Sequence, residues 1–585
     1  MIRENIMRQL QPILLLLLTL VFTSSCQNSG DRQIQPQPVV KNIQVGKDYH
    51  SFANTDAVTI NHIDLNLAVS FANNSIHGRN TIHFSRKKPE ATTISLDSRN
   101  LSIIAVSSMN SEALKWQVGR KDALLGEEII IELPKDDSHA FVIEYQTSPQ
   151  ATGLQWLTPA QTSDKKHPFL YSQSEAIHAR SWIPLQDTPQ VRQTYKATVT
   201  VDKKLRAVMS AYNNPETDIA AASFQFEMPQ AIPSYLIALA VGNLQYQSIG
   251  PRSGVWAEPV LLQKAAHEFE DTEKMIQAGE ALYGAYAWGT YDLLILPSSF
   301  PFGGMENPRL SFITPTVLAG DKSLVSLIAH ELAHSWSGNL VSNATWRDLW
   351  LNEGFTSYFE ARITEVVKGK DIKDMEAVLS YQAMREEMLE LADKDQKLAL
   401  DLRGQDPDDA FTEVPYNKGK MFLDWLESQY GREVFDSFIK NYFQHFTFQS
   451  ITTENFVEYL SQNLLNKNPD IVSIEQVNEW IYHPGIPANA IIPTTSLFSD
   501  IDAISQQWLE NKLTTKNIPT DQWTTQQWLY FLNNLPDNLT TDRMIQLDKT
   551  FDLSNIQNSE IAHIWFLLSI RYNYQPAFAN LRKYL

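Results

Sequence analysis

Two histidines four residues apart set the strongest constraint on this chain. His330 and His334, in "SLVSLIAHELAHSWSGN", lie inside an apolar run of helical spacing. That spacing puts both imidazoles on one helix face, with Cβ atoms about 5 to 6 Å apart. Two imidazoles so placed can hold one metal ion, and the fold must then bring a further ligand to the same face. Glu331 lies between them and points slightly around the helix, where it cannot easily ligate the same ion but can reach a water bound to it. The segment "LWLNEGFTSYFE" supplies the third ligand, because Glu353 follows His334 with eighteen residues between them, on what reads as the next long helix. Three protein ligands leave one tetrahedral position open, as in a catalytic rather than a structural zinc site, so one Zn2+ per chain is expected. Chance places H-E-x-x-H in roughly one chain of this length in a hundred, and the matching glutamate makes coincidence rarer still. Without a metal, the same trio would leave buried polar groups unpaired.

The rest of the chain has to build a scaffold around that pair of helices. Its 585 residues, 43% of them hydrophobic, suffice for about three or four domains. A formal charge of −19 argues against a nucleic-acid partner, which needs a basic surface to displace counterions from phosphates. Ile63, Leu65, Leu67, Val69 and Phe71 alternate with polar or small residues, as do Tyr195, Ala197, Val199 and Val201. A period of two means half-buried strands, and an antiparallel β-domain is expected over 44–247. The pattern then turns helical, as in "AVLSYQAMREEMLELAD" and "NKGKMFLDWLESQYG", giving a catalytic domain over 248–490. The proline-rich "YHPGIPANAIIPTTS" marks its far boundary. Trp528, Phe531, Leu532 and Leu535 share one helix face, and "SEIAHIWFLLSIRY" gives another helix, so a layered, solenoid-like helical domain is expected over 491–585.

The leader has its own logic. "MIRENIMRQLQPILLLLLTLVFTSSC" sets arginines at 3 and 8 before an apolar run from Ile13 to Phe22 and then small residues, the layout of an export signal. The run is shorter than the roughly 20 residues of a membrane span. Cys26 is the only cysteine, which excludes an intrachain disulfide. Its place directly after Ser24 and Ser25 resembles the acceptor of a bacterial lipoprotein signal, with Thr23 departing from the usual aliphatic residue. Residues 1–26 are thus read as a signal peptide of lipoprotein type and 27–43 as a linker. The mature protein is expected to leave a bacterial cytoplasm, as a periplasmic or lipid-anchored monomer that meets the membrane only through its anchor.

"HELAHSWSGNLVSNATWRDLWLNEGFTSYFE" and "FPFGGMENPRLSFITPTVLAGDKSL" together resemble the gluzincin zinc aminopeptidases of the aminopeptidase N type, most closely the leukotriene hydrolase branch. The similarity extends to "YSQSEAIHARSWIPLQDTPQVRQTYKA", "DPDDAFTEVPYNKGKMFLDWLE" and "NEWIYHPGIP", from about residue 45 to 495. It implies a thermolysin-like catalytic domain in a multidomain α+β chain. It further implies that Glu331 is the general base on zinc-bound water and Tyr416 the donor to the oxyanion, acting on the N-terminal bond of peptides with a free N-terminus. Gly303, Gly304, Met305 and Glu306 match the family's amine-recognition loop, where side-chain-free backbone can lie against a bound peptide. Glu175 departs from the branch, which has glutamine there, and agrees with general aminopeptidases of the family. Two carboxylates would then face the substrate ammonium, with Gln173 beside them. Phe302 and Phe411 stand where the branch has tyrosines, and Asp408 matches the aspartate it uses to direct water in epoxide opening. Arg582 and Lys583 do not map onto the basic residues by which the family grips a peptide's terminal carboxylate, which leaves two alternatives open: a shortened helical domain or a looser preference for peptide length.

Three functions compete for this sequence: an exported zinc aminopeptidase, an epoxide hydrolase on a lipid or small epoxide using the same zinc and Asp408, and a surface binding protein on a dead enzyme fold. The complete ligand set, the general base and the paired carboxylates favour the first.

Overall fold

The computed structural model describes residues 46–134 and 139–585. The main sheet of the N-terminal β-domain has six strands in the order Ser223–Pro233, Arg192–Thr200, Val58–Ser70, Ser75–Arg86, Ala140–Gln146 and Ser102–Ser108. Along Val58–Ser70 the buried side chains are Val58 and Ile60, then Ile63, Leu65, Leu67 and Val69. The switch from even to odd positions coincides with a register shift between Ile60 and His62. One extra residue at a bulge restores the apolar face to the core. The sheet is antiparallel except where Val58–Ser70 runs parallel to Arg192–Thr200. That pairing is reached only through a crossover containing the intervening strands, so local periodicity does not reveal it.

A second sheet, ordered Arg206–Met209, Leu239–Gly242, Phe169–Ser172 and Leu154–Leu157, carries the chain toward the catalytic domain. The catalytic domain begins with a five-stranded sheet ordered Gln245–Ser248, Ser253–Ala257, Tyr291–Ile295, Leu310–Ile313 and Gly304–Met305. Its three middle strands are parallel, and Gly304–Met305 is antiparallel at one edge. Helices follow, among them the short motif helix Ser326–Ala333 and the long helix Trp350–Lys368. This sheet followed by a helical half is the thermolysin-like arrangement.

The C-terminal helices Ser496–Leu509, Thr525–Asn533, Thr541–Phe551, Ser559–Arg571 and Phe578–Tyr584 form a separate core around Trp508, Phe531, Leu532, Trp565 and Phe566. Met375 joins that core and Ile372, Val378 and Leu379 pack against it, so helix Lys370–Met388 of the catalytic domain serves two domains. Among the described residues no helix is long and apolar enough to cross a membrane. Cys26 and the leader lie outside the described residues.

Candidate active site

The motif helix buries Ile328, Ala329, Leu332 and Ala333 and thereby presents His330 and His334 to the long helix beside it. His330 Nε2 and His334 Nε2 are 3.3 Å apart, and Glu353 Oε2 stands 3.5 Å from the first and 3.4 Å from the second. A tetrahedral ion with ligand bonds of about 2.0–2.1 Å requires ligand–ligand edges of about 3.3–3.4 Å. The triangle therefore fits zinc. Glu353 Oε2 is buried and lacks a hydrogen-bond partner, which is expensive unless a cation completes it. Burial opposes ionisation of Glu353, but His334 and His330 outweigh it and hold the carboxyl down to about 2.

The far sides of both rings are fixed. His330 Nδ1–H donates to Glu360 Oε2 at 2.9 Å, and His334 Nδ1–H donates to the Ser337 carbonyl at 2.9 Å. A carbonyl and a carboxylate only accept, so each ring keeps its Nε2 lone pair for the triangle. Thr356 adds its hydroxyl to the Ser337 carbonyl at 3.2 Å. Sequence reasoning missed Glu360, Ser337 and Thr356. The signal for Glu360 was present, since it follows Glu353 by seven residues, two helical turns along one face.

Glu331 is 4% exposed. Burial raises its carboxyl to about 8, against the lowering pull of His330 and His334. The backbone of Gly304 lies directly on it, and a Cβ there would overlap the Glu331 carboxylate. Gly304 and Met305 pair with Ile313 and Phe312, and the Gly303 carbonyl accepts from Thr314 N–H at 2.9 Å. The opposite side of this edge strand has no partner strand among the described residues.

The strand continues into Glu306, whose carbonyl accepts from Asn339 Nδ2 at 2.8 Å, another contact absent from the sequence reading. Carboxylate atoms of Glu175, Glu306 and Glu353 lie within 4.8 Å of one another. Burial, then the Glu306 charge, raises Glu175 well above the usual carboxylate range; burial also raises Glu306. The Oε1 atoms of Gln173, Glu175 and Glu306 are all buried without a hydrogen-bond partner. Gln173 Nε2 donates to Met305 Sδ at 3.2 Å, bringing the end of strand Phe169–Ser172 against the edge strand. The structure thus gathers Gln173, Glu175, Gly303, Gly304, Met305 and Glu306 beside the zinc triangle.

Tyr416 stands on a π-helical turn, Val414–Lys418, a local distortion common at functional sites. Its ring lies 6.1 Å from that of His330, 24° from parallel. Burial, with Glu353 and Glu175 next, raises its hydroxyl well above the usual phenol value, so it remains a donor. Gly354 and Gly419 let this turn meet the long helix backbone to backbone: a Cβ on Gly354 would stand 2.8 Å from Gly419 Cα. Asp408 accepts from His178 Nε2 at 2.9 Å and from Ala176 N–H at 3.4 Å, beside Glu175. Phe302 packs on Phe300 at 5.7 Å and Phe411 on Trp346 at 6.3 Å. Arg582 and Lys583 are exposed on the last helix.

A His-Glu-x-x-His helix and a carboxylate from the next helix, set on a triangle of zinc-sized edges, define a zinc metallohydrolase. The chain belongs to peptidase family M1. Residues 267–480 match the Peptidase family M1 domain, 59–236 the Peptidase M1 N-terminal domain and 523–585 the domain described as Leukotriene A4 hydrolase, C-terminal. It is 37% identical to leukotriene A-4 hydrolase of Xenopus laevis, over 90% of this chain and 88% of that one. It is 34% identical to aminopeptidase B of Rattus norvegicus, over 96% of this chain and 91% of that one. The structure of yeast LTA4 hydrolase in complex with bestatin superposes with a TM-score of 0.85 at 33% identity, covering 92% of this chain and 89% of that one. The M1 family consists of zinc metallopeptidases, and this chain is a zinc hydrolase of that family with the same three-part architecture.

Proposed function

We propose that this enzyme removes residues one at a time from the N-termini of peptides. The observation that carries the reading is the trio of buried, unpartnered acceptors on Gln173, Glu175 and Glu306 beside the zinc triangle. A substrate α-ammonium has three N–H donors, and its charge offsets the repulsion between the two carboxylates. Charge-assisted bonds of this kind are roughly twice as strong as neutral ones. Fixing the ammonium there sets the first peptide bond, and no later one, against Glu331. Backbone groups of Gly303 to Met305 pair with the peptide as an added strand would.

His330, His334 and Glu353 would hold the zinc. When bound, zinc supplies a Lewis acid that polarises a carbonyl and brings the pKa of a water to about 7. Glu331, held against the Gly304 backbone, takes a proton from the attacking water and returns it to the leaving amine. Tyr416 donates its hydroxyl to the carbonyl oxygen as charge develops there, a contribution of about 2.7–4 kcal/mol in comparable sites.

Purified protein with aminoacyl-anilides tests this directly. Anilide release should be chelator-sensitive and at least about 100-fold slower in Glu331→Gln; a rate near wild type in that variant would remove the reading. Asp408, anchored by His178 and Ala176, favours one second activity, epoxide opening, in keeping with relatives named leukotriene A-4 hydrolase. Glu306→Ala separates the two, because peptide hydrolysis should collapse far more than epoxide opening. We also read residues 1–26 as an export signal with lipid attachment at Cys26, and the mature enzyme as a monomer. Loss of fatty-acid labelling in Cys26→Ala, with release from the membrane fraction, is the expected result.

A further inference from the structure

We infer that Lys418 is a positioning residue for catalysis, clamping the π-helical turn that presents Tyr416. The inference rests on the aminopeptidase reading of the site. Lys418 closes the turn Val414–Lys418 and is completely buried. No carboxylate stands within ion-pair distance of its ammonium among the described residues. Instead Nζ donates to the Gln396 carbonyl at 2.9 Å and to the His483 carbonyl at 2.7 Å.

Those acceptors belong to two different segments. His483 caps the C-terminal end of helix Ile474–Tyr482, where the helix dipole favours a cation. Gln396 lies beyond the end of helix Lys370–Met388, and its side chain donates back to the Met388 and Leu391 carbonyls. The two segments are tied to each other as well, since Leu398 and Ala399 N–H both donate to the Ile481 carbonyl. The ammonium thus fastens the Tyr416 turn to an already cross-linked pair of chain segments. On its other side the turn meets the long helix through the Gly354–Gly419 contact.

An ammonium is a costly way to fill space. A methionine of similar length would pack here without the desolvation penalty of a buried cation. Burial pulls the Lys418 ammonium down to about 7, consistent with a group kept for its donors rather than for its charge. A π-helical turn replaces the regular i to i−4 hydrogen bonds of an α-helix with i to i−5 ones, a rare geometry that occurs mostly as single turns. Here the Lys418 ammonium bonds tie its last residue to two neighbouring segments. Tyr416 is two residues from Lys418, so a slackened clamp moves the phenol. A misplacement of about 1 Å can cost roughly 100-fold in rate.

The test is a double-mutant cycle on the zinc-loaded enzyme, with wild type, Tyr416→Phe, Lys418→Met and the double variant assayed on one aminoacyl-anilide. Zinc content and thermal midpoint are measured on each. Lys418→Met should lower kcat about 10- to 100-fold with KM within about twofold and zinc retained, and Lys418→Arg should restore part of the rate. In the Tyr416→Phe background the same substitution should change kcat less than about threefold, because residues acting as a unit are non-additive. An equal loss in both backgrounds overturns the inference and makes Lys418 a structural residue; so does wild-type kcat in Lys418→Met. Tyr416→Phe as fast as wild type would overturn the assigned role of Tyr416 and the inference together. A chelator-insensitive or inactive wild type would instead strike the aminopeptidase reading itself. Lys418→Gln is carried through the same cycle, so that the result stands even where the methionine variant does not fold.

Discussion

Glu175 and Glu306 place two carboxylates in one small volume with Glu353, and burial together with like charge raises the protonation tendency of Glu175. Before a peptide arrives this arrangement is destabilising. Glu175→Gln should therefore raise the thermal midpoint while lowering kcat/KM about 5- to 30-fold, the difference between a charged and a neutral hydrogen bond. Calorimetry and anilide kinetics on the same sample check both signs. Glu331→Gln should cost roughly 100- to 10,000-fold in kcat with zinc retained, since only proton transfer is removed. The zinc ligands and Glu331 were legible in the sequence because helical spacing fixes which side chains share a face. The amine site was not legible in that way. Gln173 and Met305 touch across 132 positions of chain, and nothing local says that those two strand ends meet, so only the family resemblance suggested it. Lys418 was missed because a lysine on a helical stretch ordinarily reads as solvated.

Elements meet here by unusually close backbone contact. Gly304 passes over Glu331, and Gly354 touches Gly419. Gly419→Ala should separate the Tyr416 turn from the long helix, destabilising the fold by about 1–3 kcal/mol of overpacking and lowering kcat roughly 100-fold. Denaturant melts and kinetics distinguish that from a uniform loss of active protein. The helices themselves were readable from period and length, and the alternating strands from their period of two, whereas the bulge after Ile60 shows only in the pairing register. The π-helical turn was not. "VPYNKG" looks like the opening of an ordinary helix, and the contacts that distort it come from Gly354, Gln396 and His483, far away in sequence.

Across the whole molecule, the site is assembled from the end of a β-domain strand, an edge strand, two helices and the π-helical turn of Tyr416, with helix Lys370–Met388 shared with the C-terminal core. Chelation should lower the thermal midpoint as well as abolish activity, and one equivalent of zinc should restore both, because metal binding to the folded state alone is stabilising. Stability should also depend on pH through Lys418. Its folded pKa is depressed to about 7 from 10.5, so between those values the unfolded chain binds more protons and the contribution rises with pH. The slope for one group is at most about 1.4 kcal/mol per pH unit. Below about 7 both states are protonated and the full penalty is present. Relative to Lys418→Met, the wild type should therefore gain stability from pH 7 upward; a parallel dependence would contradict the shift. The central claim is that this zinc enzyme measures one residue from a free amine, and mass spectrometry of one peptide with free and N-acetylated termini tests it most directly. The free peptide should lose its residues singly from the N-terminus while the acetylated peptide stays intact. Cleavage of the acetylated peptide, or internal cuts in either, would contradict it.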